Sequence, residues 1–433
     1  MSASDTTGTI RDEAAAAPTG FGSYLFTQSA WFLAFGLQIV LFPYLVRVVL
    51  QENEVRFGIA QMSMQLPTVL LILLGGYAAD RTDTRLTVLA GCGLCAVSFL
   101  GLGVFVATGH LTYGALIVYA LVIGTIGAFA TPARDALLSR VAPGGVQKAV
   151  GMASLAQFGG QIVGMATATA APLVGLPALL FGQAAMMAVA AGAATRIRPR
   201  PAGPPRVREG GVLGFIAGEI GGGFRAAAAS PVIAPVIVCA VGMGLCFMGA
   251  FAVLLPLIVQ GYFPADLAGP ERARIATALG VFSLTFWIGS ICSTVILIRL
   301  GHIRRKGRLY LAALFGGSIV LVLCSLPMPF WLLCGLNFVW GLGGGVAMTL
   351  GRGLVQAFSP PDKVARILSI FTLGNMGAAP AGAVLYGVLA HAIGPRAAIL
   401  FPGLGMLLVV ISVTALSRLR DLDEPAPVGA PGA

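Results

Sequence analysis

Twelve stretches of about twenty predominantly apolar residues, joined by short polar connectors, run along almost the whole of this chain. They fall near 24–46, 57–79, 87–107, 112–131, 149–172 and 176–195, and again near 231–259, 275–299, 308–326, 329–350, 367–390 and 396–417. A helix rises about 1.5 Å per residue, so each stretch can cross the ~30 Å hydrocarbon core of a bilayer. A water-soluble fold cannot absorb so much apolar surface, because its own exterior must be wetted. Here 57% of the 433 residues are apolar and only 10% are charged, against about 25% charged in an ordinary soluble domain. The pattern predicts an all-α membrane protein with twelve transmembrane helices, and the lipid bilayer is its first partner. Gly and Pro are frequent, 59 and 26 residues, and lie inside the apolar runs. Spanning helices tolerate this because small residues let them pack closely.

The formal charge of +11 would suit nucleic acid if it lay on one face. It lies instead in the connectors, so no nucleic-acid partner is expected. With the N-terminus in the cytoplasm, 22 of the 27 Lys and Arg residues fall on that side. Only Arg47, Arg56, Arg272, Arg274 and Arg396 fall on the other. Such a bias places both termini inside, and a miscounted span would scramble it. The first 20 residues show neither a basic start nor a cleavage pattern, so no cleaved signal peptide is expected.

The seven cysteines all lie in apolar stretches, and an odd number there makes no disulfide framework. Cys92 and Cys95 have metal-motif spacing, but no second pair or His cluster accompanies them. They read as two small packing residues one turn apart. No metal and no cofactor is expected.

The organisation that follows is a tail over 1–22, a six-helix bundle over 23–195, a linker over 196–230, a second six-helix bundle over 231–417 and a tail over 418–433. The linker opens on the basic, proline-rich run Arg196-Ile-Arg198-Pro-Arg200-Pro. Its part from Val212 to Ala229 reads either as an amphipathic helix on the inner leaflet or as a flexible connector. The two bundles echo one another. Arg134, Pro143, Lys148, Leu155 and Gly159 recur 218 residues later as Arg352, Pro361, Arg366, Leu373 and Gly377. Each set joins the fourth span of its half to the fifth, which points to duplicated halves related by an axis along the membrane normal.

Between spans two and three stands Gly76-Tyr-Ala-Ala-Asp80-Arg81-Thr-Asp83-Thr-Arg85. A glycine there permits close helix approach, and an acid can meet an arginine of span four or the positive end of a helix. This loop resembles the signature loop of the major facilitator superfamily. The run Thr131-Pro132-Ala133-Arg134-Asp135 is similar to the enterobactin-exporter-like branch of that superfamily. So is the run from Arg366 through Gly377, Pro380 and Gly382 to Gly394-Pro395-Arg396. The resemblance covers about residues 22–417. It implies the major facilitator fold with two pseudo-symmetric bundles, alternating access, and export of a siderophore or a hydrophobic drug. It also implies a gate built from Gly76, Asp80, Arg81, Arg85 and Arg134.

Two departures from the pattern matter. Span five keeps Gly151, Gly160 and Gly164, but Met165 stands in place of a proline and Ala168-Thr169 replace the last glycines. No arginine lies within span four between Leu116 and Thr131. In addition, all sixteen acids lie at helix ends or in loops, whereas a proton-coupled carrier usually keeps an ionisable group in its cavity. Glu52, Glu54 and His391 are the nearest candidates, and each also reads as an ordinary interfacial charge or cap.

The fold puts the substrate cavity at mid-membrane between the halves. Polar or aromatic residues that can line it are Gln38, Gln61, Gln65, Tyr119, Gln157 and Gln161 in the first half. Trp287, Asn337, Trp340 and Asn375 are their counterparts in the second. Each also reads as an interhelical hydrogen bond, worth about 0.6 kcal/mol on average. An uncharged cavity of amides and aromatic rings suits a bulky amphipathic or neutral small molecule. The chain is thus read as a monomeric secondary transporter and exporter, with the proton one candidate coupling ion and the coupling itself left open by the lack of an acid inside the spans. A lipid-like flippase, an importer, or a transport-inactive sensor or scaffold are the alternatives. An enzyme is not expected, since no catalytic cluster of His, acid or Cys lies within the spans.

Overall fold

Each apolar run folds as a helix. The computed structural model describes residues 20–79, 81–142, 146–199, 221, 224–225, 227–263, 270–300, 305–360 and 364–421. The first six helices are α1 (Phe21–Val49), α2 (Glu54–Ala79), α3 (Thr84–Ala107), α4 (Tyr113–Val141), α5 (Val146–Thr169) and α6 (Leu176–Ala194). The second six are α7 (Ile233–Gln260), α8 (Pro270–Leu300), α9 (Lys306–Leu323), α10 (Phe330–Phe358), α11 (Val364–Gly377 continued by Ala379–Ile393) and α12 (Pro395–Leu416). Eleven of these are long and apolar enough to cross a membrane. The remaining one, α5, has 24 residues, but its amides, glycines and threonines dilute the apolar run. Tight packing against α1 holds it in the bundle.

Local signals set the helix ends. Asp83 Oδ1 accepts from Arg85 N (2.9 Å) at the start of α3, and Thr112 Oγ1 accepts from Ala115 N (3.2 Å) at the start of α4. The turns before α6 and α12 each place a glycine at positive φ, Gly175 at 87° and Gly394 at 81°. A side chain is strained there, and a proline then opens each following helix. The helix α4 runs on to Val141 and α10 to Phe358, well beyond the apolar stretches. Arg134 and Arg352 therefore stand on helices and not in connectors. In α4 the extra turns carry Ala133, Ala136, Leu137 and Leu138, good helix formers that stay helical after the apolar run has ended.

Helix pairing repeats with an offset of six. In the first half α1 packs on α5, α2 on α4, and α3 on α6. In the second α7 packs on α11, α8 on α10, and α9 on α12. The α1–α5 crossing is backbone against backbone. A Cβ on Gly160 would collide with Ser29 O, one on Gly164 with Leu33 O, and one on Gly36 with Gln161 O. The Gly160/Gly164 face thus does what small-residue spacing does in membranes. Gly164→Val is expected to destabilise the bundle by about 1–3 kcal/mol, read as a lower thermal midpoint in detergent. Gly93→Val, where an added Cβ meets nothing within 4 Å, is the matched control and should leave the midpoint unchanged.

Both α1 and α7 depart from regular winding. The last turn of α1, Leu45–Val49, is π-helical and follows Pro43. In α7 two π-helical segments, Met243–Met248 and Ala250–Leu254, precede Pro256. A proline removes one backbone donor from the ladder and crowds the preceding turn, which favours the wider turn beside it.

Most of the linker 196–230 lies outside the described residues, as do the tail over 1–19 and residues 422–433.

Candidate functional site

The two halves meet most closely at the end of the bundle away from the chain termini, here the far end. There α2 crosses α11 with glycine facing glycine. A Cβ on Gly58 would lie 2.5 Å from Ala383 O, and one on Gly387 would lie 2.7 Å from Glu54 O and 3.1 Å from Gly58 Cα. On the other side of the bundle α5 meets α8, where a Cβ on Gly280 would strike Thr169 and Thr277 Oγ1 donates to Thr169 O (3.2 Å). Gln61 Nε2 donates to Ala252 O of α7 (3.0 Å).

Charged side chains tie this end further. Arg47 Nη2 pairs with Glu54 Oε1 at 2.8 Å, and Arg47 Nε donates to Gln260 Oε1 at 3.1 Å across the halves. Arg47 also donates to Glu52 O. His391 Nδ1 of α11 lies 3.1 Å from Glu54 Oε2. One carboxylate thus holds a cation of its own half and an imidazole of the other. Glu52 pairs instead with Arg56 (2.8 Å), on the surface.

At the opposite end, the signature loop is anchored within its own half. Arg81 is exposed and stacks over Tyr77, 4.3 Å from the ring centroid. Arg85 donates to Thr195 O at the end of α6, and Arg140 Nη1 donates to Thr84 Oγ1 (2.9 Å). Asp80 lies outside the described residues. The close approach expected of Gly76 falls one residue earlier. Gly76 has open space around it, whereas a Cβ on Gly75 would collide with Ala128 O of α4.

Arg134 is 4% exposed and points into the first bundle. Its guanidinium lies 4.4 Å from the ring of Trp31 and 5.1 Å from that of Phe32, and Nη1 donates to Gln28 Oε1 (3.3 Å). Its Nε has no hydrogen-bond partner, and no carboxylate lies within ion-pair distance among the described residues. Aromatic faces and one amide stand where an anion would.

The candidate cavity residues divide into two groups. Some are engaged inside one bundle. Gln38 Nε2 donates to Gln183 Oε1 (3.3 Å), which ties α1 to α6, and Gln183 Nε2 donates to Ala34 O (2.9 Å). Tyr119 packs on Phe99 of α3 with its hydroxyl unpartnered. Asn375 Nδ2 faces Met348 Sδ at 3.6 Å. Gln65 and Gln157 are half-buried.

The others gather at one depth. Gln161 lies eight residues in from the α5–α8 contact at Thr169, and Trp287 seven residues in from Gly280. At about 1.5 Å per residue both sit roughly 10–12 Å below that contact, near the middle of the membrane. Gln161 Nε2 and Trp287 Nε1 are buried donors without a partner among the described residues. On α10, Asn337 Nδ2 donates to Phe282 O (2.7 Å) and Thr285 Oγ1 (3.1 Å), which leaves its Oδ1 unpartnered. A wall of rings adjoins them. Trp340 stands 5.1 Å from Phe286, 5.6 Å from Phe247 and 6.0 Å from Phe251, and Phe286 stands 5.8 Å from Trp287. Buried polar groups are nearly always satisfied, so these orphan atoms at one depth, Gln161 in the first half and Trp287 and Asn337 in the second, mark a candidate site.

Comparison with known proteins agrees with this architecture. A family profile described as transmembrane secretion effector matches residues 38–429. The chain belongs to that family. It is a major facilitator protein, a secondary transporter and not an enzyme, and a multi-pass protein of the inner membrane that handles small molecules. The enterobactin exporter EntS of Escherichia coli (strain K12) is 27% identical over 371 residues, which is 82% of each chain. Among solved structures, the nucleoside transporter NupG is similar over 92% of this chain and 98% of its own, at 13% identity and a TM-score of 0.68. A bacterial homolog to the human lysosomal transporter Spinster, inward-facing and unoccupied, is similar over 94% and 98%, at 12% identity and a TM-score of 0.69. Such identities speak for the fold alone.

Sequence reading missed several residues that build these sites. Phe247, Phe251 and Phe286 resemble any lipid-facing phenylalanine in an apolar run. Gln260 offered a signal, an amide at the very end of a span, as did Arg47 among the few far-side cations.

Proposed function

We propose that this protein exports an uncharged, amphipathic small molecule of siderophore-like or drug-like character, by rocking the two bundles about a central site. The observation that carries the proposal is the pair of buried, unpartnered donors, Gln161 Nε2 and Trp287 Nε1, one from each half and at one depth. A ligand accepting from both would touch both halves at once and bind differently as they move, which alternating access requires. The ring wall of Trp340, Phe286 and Phe251 offers stacking and apolar surface, and Asn337 Oδ1 offers an acceptor. The name of the relative EntS, an exporter of enterobactin, supports the direction.

The bias of Lys and Arg supports an orientation with both termini in the cytoplasm. On that orientation the far end is periplasmic, and the tight contacts there describe a state closed to the outside. The chain works as a monomer, with bundles bounded near 23–195 and 231–417, and the proton is its coupling ion. Gly76, Asp80, Arg81, Arg85 and Arg134 form the cytoplasmic gate, with Arg134 as its buried pivot.

Purified protein in proteoliposomes, assayed for efflux of amphipathic dyes and ferric-free catecholates with and without a pH gradient, tests this reading. Gradient-dependent movement is the expected result; none for any compound would overturn it. Trp287→Phe keeps the ring and removes only the donor, so affinity should fall by about threefold, the worth of one modest hydrogen bond. Arg134→Ala should slow efflux several-fold with normal membrane insertion, read by flux at equal protein density.

A further inference from the structure

A groove between α9 and α12 opens toward the lipid and carries chemistry that transport does not use. It encloses about 520 Å³ and is lined by Arg308, Leu311, Phe315 and Gly316 of α9, with Val410 of α12 and Arg420 just beyond it. Its walls follow the helix repeat. Residues 308, 311, 315 and 316 climb one face of α9, while Arg420, Thr414 and Val410 climb beside them from the same end. The two arginines are exposed and stand together at the end that holds the chain termini. The rest of the groove runs about 12 Å toward the middle of the membrane, the rise of two helical turns.

The flanking surface is hydrocarbon-facing. Phe315 and Ile319 on α9, and Leu408 and Ile411 on α12, are large apolar side chains left exposed by the fold. An added Cβ at Gly316 would meet nothing within 4 Å, so the groove floor is bare at that point. An occupant must therefore be apolar along about 12 Å and anionic at one end, with the charge at the depth of the membrane interface. We propose that this groove is a binding site for an anionic phospholipid, its phosphate held by Arg308 and Arg420 and one acyl chain lying over Gly316 between Phe315 and Val410.

Arginine suits the task because its planar fork presents five donors and matches phosphate oxygens in pairs. Each of the two arginines also has a contact within the chain, and a guanidinium carries five donors, more than a single contact engages. Basic pockets between spanning helices are known to select anionic head groups. At about fivefold in affinity for each arginine near a charged interface, the pair should favour an anionic lipid over a zwitterionic one by about thirtyfold.

Native mass spectrometry of the detergent-purified protein, titrated with phosphatidylglycerol or phosphatidylethanolamine of matched chains, reads this directly and needs no transport. The expected result is one tightly held phosphatidylglycerol, preferred about thirtyfold. The Arg308→Gln/Arg420→Gln variant should lose the preference. Gly316→Leu fills the floor without touching charge and should lose the lipid while keeping its fold. Arg418→Gln, at the same end but outside the groove, should behave as wild type. Inorganic phosphate at millimolar concentration should not displace the lipid; displacement would mean that the arginines bind phosphate as such, and would overturn a lipid site. Equal retention of both lipids, or equal loss in Arg418→Gln, would overturn it too.

Discussion

Gly58→Val is expected to leave the far end unable to close and to remove most transport, while the protein still inserts and binds its substrate. Its added carbons fall on Ala383 O and on Gly387 of the other half, a contact that parting of the halves at this end would break. Overpacking of this kind costs about 1–3 kcal/mol, and here the closed state alone bears it, so the population moves toward the open far end by about 5- to 150-fold. Spin labels at Thr108 and Leu326, exposed positions in opposite halves at that end, should show the longer separation predominating. Gly335→Val, where an added Cβ meets nothing within 4 Å, is the control. An unchanged label distribution in Gly58→Val would mean that the glycine crossing does not govern closure.

Glu54→Gln is expected to loosen the same end by about five- to thirtyfold. The carboxylate is about a quarter exposed and Arg47 a fifth, at 24% and 19%, so the pair lies between a surface bridge and a buried one. His391 adds a contact from the other half, its Nδ1 lying 3.1 Å from Glu54 Oε2. Arg47 of α1 stands behind that carboxylate, while Arg396 nearby donates to Leu326 O and stacks on Tyr262. His391→Ala is therefore expected to loosen the far end in the same direction as Glu54→Gln, read from the same label distances. An unchanged distribution would mean that this contact does not help to hold the halves shut.

Much of this architecture could be read before any coordinates. Hydropathy gives the spans because the bilayer imposes one length on every crossing, and the recurrence of Arg134 as Arg352 exposes the duplication. Gly160 and Gly164 were legible because close packing in lipid needs small residues one turn apart. What stayed hidden depends on residues distant in the chain. Glu54 and His391, separated by 337 positions, read as two unrelated interfacial charges until the α2–α11 crossing joins them. Gly75 and Gly76 are adjacent in sequence, and only helix phase decides which of them meets α4. The central amides divided in the same way: Gln38 turned to Gln183 within its bundle, while Gln161 kept a donor unspent.

The π-helical stretch of α7 joins these two themes. Phe247 and Phe251, which face the ring wall, lie on the two π segments, and Gln260, which receives Arg47, lies at the end of the same helix. An extra residue in a turn is a dislocation that can migrate. Winding it out into regular α-helix turns everything beyond it through about 100° around the helix axis, whereas moving it re-aims only the residues it passes. Cargo that presses on Phe251 would thus act on the winding that aims Gln260, as a key turns the bolt through its barrel. Loading would then unfasten the far end by torsion of a single helix, ahead of any movement of the bundles as whole bodies.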